Sequence, residues 1–154
     1  MRYNLLSILG NIIAILLLIA ILLNTLGFVV LGTVEGPSME PLFQTGDLVI
    51  IIKSKDINVG DVIIYKKKVG DGFIIHRVVE IHSIRDEQYY VTKGDNNALP
   101  DYQEFELVGV PSSRVVGKVL EINDLPLKIP VVGYLSLLTR KLFSQPNYMI
   151  EDVW

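Results

Sequence analysis

Thirty consecutive residues, Leu5 to Val34, contain no charged side chain. A helix needs roughly 20 apolar residues to cross a hydrocarbon core of about 30 Å. Ile12 to Leu23 is unbroken apolar, and Leu5 to Leu26 is long enough to span. A cleaved leader would have a shorter apolar centre, about 7–15 residues, and a small-residue cleavage site. Val30 and Gly32 make a poor site of that kind, so an uncleaved anchor is expected over residues 1–34. Gly27 to Val34 is rich in β-branched residues and reads as an extended exit from the helix. Arg2 precedes the run, and Glu35, Glu40 and Asp47 follow it before Lys53. That asymmetry predicts a cytoplasmic amino terminus and a domain on the outer side, with the bilayer itself as one partner.

The charge is concentrated in the residues that follow, which have the composition of an ordinary globular domain. The net charge is −3, and no basic stripe with interleaved aromatics appears, which argues against a nucleic-acid partner. The chain has no cysteine, so disulfides, thiol catalysis and cysteine-ligated metals are excluded. No cluster has metal-ligand spacing, and no cofactor is expected.

Short Val-, Ile- and Tyr-rich runs separated by turn residues predict strands at Asp47 to Ile52, Asp61 to Tyr65, Phe73 to Ile81, Tyr89 to Thr92 and Val115 to Ile122. Gly70-Asp71-Gly72 reads as a hairpin turn. The expected fold is mainly β: an amino-terminal transmembrane helix, then a mostly antiparallel domain over 35–125, built as a partly closed barrel or packed sheets. Residues 126–154 form an apolar and basic tail. Within it Ile129 to Leu138 is too short to span, holds Pro130 and Gly133, and is flanked by Lys128, Arg140 and Lys141. It is either a packed core element or a patch on the membrane surface with its cations at lipid headgroups.

Three residue types in the domain could combine into nucleophilic chemistry. Ser38 stands in Gly36-Pro37-Ser38-Met39-Glu40-Pro41, where a serine can simply cap a turn. His76 is one of two histidines and lies in a strand pattern, where most histidines are structural. Together they have another use: a neutral imidazole can take the serine proton and make the hydroxyl a competent nucleophile. A third group, usually a carboxylate, then fixes the imidazole tautomer. The loop Gly94-Asp95-Asn96-Asn97-Ala98-Leu99-Pro100-Asp101 supplies two carboxylates, and Asx-turns are its plainer explanation. Lys66, Lys67 and Lys68 read as a solvated face.

These stretches, in order, resemble the boxes of signal peptidase I: Ser38-Met39-Glu40-Pro41 with Gly46-Asp47, Gly60-Asp61-Val62-Ile63-Ile64-Tyr65, Ile75-His76-Arg77-Val78-Val79, and Lys93-Gly94-Asp95-Asn96-Asn97. The resemblance covers about Leu16 to Tyr134. Bacterial relatives usually carry lysine where this chain has His76, which makes it similar to the endoplasmic-reticulum and archaeal type. The resemblance implies Ser38 as nucleophile, His76 as general base and Asp101 as orienting carboxylate, with Asp95 as second candidate. It also implies a membrane-bound serine endopeptidase acting on secretory preproteins at the outer surface, with accessory subunits as further partners. Many bacterial relatives place a serine hydroxyl in the oxyanion hole two positions before the nucleophile. Here that position is Gly36, and Pro37 has no N–H, leaving the Ser38 amide as the nearest donor. Gly36 and Met39 are the candidate substrate-binding positions, Met39 as an apolar wall or as ordinary core. The alternative of another class is a catalytically silent, membrane-anchored β-domain that serves as an assembly subunit. A related soluble group, the self-cleaving repressor-type proteases, uses lysine and fits the uncharged segment poorly.

Overall fold

The uncharged run folds where its hydropathy requires. The computed structural model describes residues 4–25, 27, 29–123, 125–134 and 149–150. Helix α1 spans Leu5–Thr25, 21 residues, a rise of about 31 Å at about 1.5 Å per residue. Its apolar side chains are exposed around the cylinder, for example Leu6, Leu9, Ile13, Leu17 and Ile21. Among the described residues no helix is long and apolar enough to cross a membrane. The helix is present at the expected place, but the membrane span expected of it is not found among the described residues.

Eleven strands follow among the described residues: β1 (Val29–Val34), β2 (Leu48–Ile52), β3 (Val62–Lys66), β4 (Phe73–Ile84), β5 (Glu87–Lys93), β6 (Val110–Pro111), β7 (Val115–Val119), β8 (Glu121–Ile122), β9 (Leu125–Pro126), β10 (Lys128–Ile129) and β11 (Met149–Ile150). Their main path is β11-β1-β2-β7-β3-β4-β5-β6, with β10 on β2 and a separate β8–β9 hairpin. β3 and β4 pair antiparallel across the expected glycine turn, with Lys66 opposite Phe73 and Ile63 opposite His76. β3 lies between β4 and β7, which is why Val62 to Tyr65 are buried in succession rather than alternately. β7 approaches β2 closely at Gly117, where a Cβ would run into the Ile52 carbonyl.

Of the partly closed barrel or packed sheets expected, the mainly antiparallel β domain is present, and the described strands form no closed barrel. β4 runs past β3 and pairs along most of its length with β5, which pairs in turn with the edge strand β6. The ladder therefore continues outward. Among the described residues its return is β11, parallel to β1 and joined to β4 by the pair Ile150–Phe73. The core gathers Ile57, Ile63, Tyr65, Ile74, Val78, Tyr90 and Val110, and each fully buried aliphatic side chain there stabilises by roughly 1.5–3 kcal/mol.

The chain divides into two units, Met1–Val30 and Leu31–Trp154. The tail begins inside the second, since β10 pairs antiparallel with β2. Val131 and Val132 beyond it are exposed, and Tyr134, exposed on one side, lays its ring over Gly46. Lys128, which one of the two readings of the tail put near lipid headgroups, turns onto Asp47 at 2.7 Å and the Leu42 carbonyl at 2.6 Å. Residues 135–138 of the apolar stretch, with Arg140 and Lys141, lie outside the described residues.

Candidate active site

Ser38 sits on the loop between β1 and β2. Two fully buried side chains on that loop, Met39 and Phe43, anchor it. Its base is tied by Gly46 N–H to Val34 O and by Val34 N–H to Asp47 O, both 2.9 Å. The Asp47 carboxylate, itself buried, accepts from the Gln44 amide at 3.1 Å and from Lys128. The serine is thus held by a stapled loop rather than a free turn.

His76 is the fourth residue of β4 and fully buried. Its neighbours Ile74 and Val78 share its face and belong to the core. Asp101 arrives on the loop after β5, whose course is fixed by Asp101 N–H to Thr92 O at 2.9 Å. The same loop bonds back to the serine loop: Asn96 donates from its amide to Ser38 O at 2.7 Å and from its side chain to Pro37 O at 3.1 Å.

The three side chains meet. Ser38 Oγ is 2.9 Å from His76 Nε2, and His76 Nδ1 is 2.6 Å from Asp101 Oδ2. Ser38 keeps 4 % of its surface, Asp101 2 % and His76 none. An ionised carboxylate can only accept, so Nδ1 carries the proton opposite Asp101. Nε2 then presents its lone pair to the serine hydroxyl. That tautomer follows from the hydrogen-bond network. The arrangement can lift a proton from Ser38 onto Nε2 and hold the imidazolium against a buried carboxylate.

Asp95 is placed elsewhere. Both its oxygens receive Arg77, from Nε at 2.8 Å and Nη2 at 2.6 Å, and Arg77 Nη1 reaches Gly60 O at 2.7 Å. Asp95 raises the pKa of Arg77 mainly through that hydrogen bond. Asp95 is thus a clamp between its loop and β4, with no bond to His76 among the described contacts. Gly36 gives its amide to Thr45 Oγ1 at 2.9 Å. Met39 lies wholly inside the fold.

Two participants were not singled out from sequence. Tyr65 OH donates to Asp101 Oδ2 at 2.9 Å, and Thr92 Oγ1 donates to the same oxygen at 2.6 Å. Both side chains are fully buried. The available signal was the need of a buried tyrosine hydroxyl for a polar partner. Burial, and then the charge of Asp101, push the Tyr65 phenol well above its ordinary range.

Residues 16–119 match the family described as Peptidase S24-like. Several fungal proteins, each a "Signal peptidase complex catalytic subunit SEC11", are similar to the chain. The one from Clavispora lusitaniae is 36% identical over 102 residues, covering 66% of this chain and 60% of that protein. The Debaryomyces hansenii protein is 35% identical over 103 residues, with 66% and 60% covered. The Saccharomyces cerevisiae protein is 35% identical over 105 residues, with 65% and 59% covered. The chain thus spans about three fifths of the length of the curated relatives it matches.

Proposed function

The chain belongs to the Peptidase S24-like family and, within it, to signal peptidase I of the endoplasmic-reticulum type, and from that membership we propose that it is a membrane-bound serine endopeptidase removing signal peptides from secretory preproteins. The observation that carries this reading is the continuous run from Ser38 Oγ to His76 Nε2 and from Nδ1 to Asp101, at 2.9 and 2.6 Å. In the reaction Ser38 Oγ attacks the scissile carbonyl as its proton passes to His76 Nε2. The imidazolium, held by Asp101, returns that proton to the leaving amine. Water then opens the acyl-enzyme by the same proton path in reverse. The Ser38 amide is the oxyanion donor nearest the nucleophile. Gly36 adjoins the Pro37-Ser38 step along the substrate path, while Met39, wholly buried, takes the core role that was its other reading.

Helix α1 serves as the anchor. Twenty-one residues without a charge give a cylinder whose exposed apolar side chains suit a hydrocarbon surrounding better than water. The described apolar positions of the tail, Val131 and Val132, are candidates for contact with the membrane surface. The relatives are named as subunits of a complex, and accessory subunits are the corresponding partners for this chain.

The test is direct. The detergent-solubilised protein is incubated with a preprotein beside its Ser38→Ala and His76→Ala forms. Each substitution should lower turnover by roughly 10⁴- to 10⁶-fold with the fold intact. A serine variant that cleaves at the parent rate would remove Ser38 from the role of nucleophile. A parent that cleaves nothing would leave the silent assembly domain as the better reading.

A further inference from the structure

Three donors converge on one carboxylate oxygen. Asp101 Oδ2 accepts from His76 Nδ1 at 2.6 Å, Thr92 Oγ1 at 2.6 Å and Tyr65 OH at 2.9 Å. The two hydroxyl oxygens lie 3.0 Å apart, both directed at that atom. They come from different strands, Tyr65 from β3 and Thr92 from β5, and so bracket the carboxylate from both sides of β4. We propose that Tyr65 and Thr92 are positioning residues for the Ser38–His76–Asp101 unit: they hold Oδ2 on His76 and set the pH above which the unit is competent. This rests on the catalytic reading given above.

The physical argument has two parts. A carboxylate with one partner can rotate and offer either oxygen, whereas two further donors on Oδ2 fix which oxygen faces Nδ1. Charge is the second part. A buried carboxylate beside an imidazole favours the protonated ring, which is useless as a base. Each hydroxyl spreads the negative charge of Oδ2 and weakens that bias. Tyr65 keeps its proton in this role because burial and the Asp101 charge both oppose its ionisation.

Other charged groups near the unit are already matched. Arg114 lies 5.8 Å over the Tyr65 ring and is paired with Glu104. Arg77 on β4 is paired with Asp95, Lys93 on β5 donates to Asn97 O, and Lys118 on β7 is paired with Asp61. Removing one hydroxyl leaves all of these in place.

Tyr65→Phe and Thr92→Val in the full chain should each lower kcat by about tenfold, the loss expected for one hydrogen bond to a charged group. KM should stay within about twofold, because neither hydroxyl meets the substrate in this scheme. The acid limb of kcat/KM should move up by about half a pH unit as the charge on Oδ2 is less dispersed. Thr92→Ser keeps the hydroxyl and should restore both. A proton NMR spectrum of the Ser38→Ala protein supplies a readout that needs no activity: the low-field Nδ1 proton between His76 and Asp101 should change its chemical shift when either donor is removed. If the limb and that resonance both stay at their parent positions, the proposal is overturned even where kcat falls. If the parent protein cleaves no preprotein, the catalytic reading fails by itself. The resonance then still decides whether the two hydroxyls act on the His76–Asp101 pair.

Discussion

Asp95 and Asp101 stand six residues apart in one loop, and burial separates their tasks. Asp101 is 2 % exposed and touches His76, whereas Asp95 is about a fifth exposed and clamps Arg77. Asp101→Ala should therefore cost more turnover than Asp95→Ala. Asp95→Ala and Arg77→Ala should resemble each other, each losing about 0.5–1 kcal/mol of stability, as expected for a bidentate but solvent-screened pair. Thermal melts and single-turnover rates on the four proteins check this ordering. A larger rate loss at Asp95 would reverse the assignment. Tyr65 adds a pH dependence of stability. In the unfolded chain its phenol loses its proton near pH 10, and in the fold it holds the proton to higher pH. Below about pH 10 the contribution is fully present. As pH rises through the interval above, only the unfolded chain deprotonates, so stability falls. Melting temperatures between pH 8 and 11 should decline, and less steeply in Tyr65→Phe. Some slope remains, because the Tyr90 phenol is also raised by burial; parallel curves would argue against a buried Tyr65. At this scale Ser38, His76 and Asp101 were legible because their neighbours form ordered boxes. Tyr65 was not, since in Val62-Ile63-Ile64-Tyr65 it reads as plain core, and its acceptor lies 36 residues away in sequence.

Strands were more legible than their joints. β2, β3 and β5 fall within one or two residues of the runs that predicted them, because β-branched clusters between turn residues leave little else to form. β4 extends three residues past the expected Ile81. The cause is its tip, where Arg85 and Asp86 both take left-handed backbone angles and make a two-residue turn without the glycine that marks such turns. The expected strand from Val115 to Ile122 breaks at Leu120, whose amide goes to Ile50 O and whose carbonyl accepts from Leu127. Such long-range pairings leave no local pattern. The joint with the clearest consequence is the loop after β5. A Cβ on Gly94 would stand 2.7 Å from the Ser38 carbonyl oxygen and 2.9 Å from Asn97 Nδ2. Gly94→Ala must therefore push apart the two loops that carry Ser38 and Asp101. Misplacement of about 1 Å can cost on the order of 10²-fold, so kcat should fall by about ten- to a hundredfold while the melting temperature changes little. Full activity in Gly94→Ala would mean that this contact does not seat the serine.

For the whole molecule the proposed function turns on which side of a bilayer the site would occupy. Signal peptides present their cleavage sites at the membrane surface where translocation ends, so the proposed activity needs Ser38 on the outer side. Two features of the sequence support that orientation. Arg2 and the amino terminus precede the uncharged run, and three carboxylates follow it before the first lysine. Ser38 also stands only four residues beyond Val34 in the sequence, as the proposed activity near a membrane surface requires. The absence of native cysteine allows a clean test. Single cysteines replace Ser7, in α1, Asp71, at the exposed β3–β4 turn, and Asp152, in the segment outside the described residues. Intact cells or sealed vesicles are then treated with a membrane-impermeant thiol reagent. Asp71→Cys and Asp152→Cys should be labelled from outside, and Ser7→Cys should not. Labelling at 71 without labelling at 152 would put the tail across the membrane. Reactivity at 71 that appears only after permeabilisation would put Ser38 on the cytoplasmic face. A serine there could not meet translocated preproteins, and the proposed function would fall with the topology.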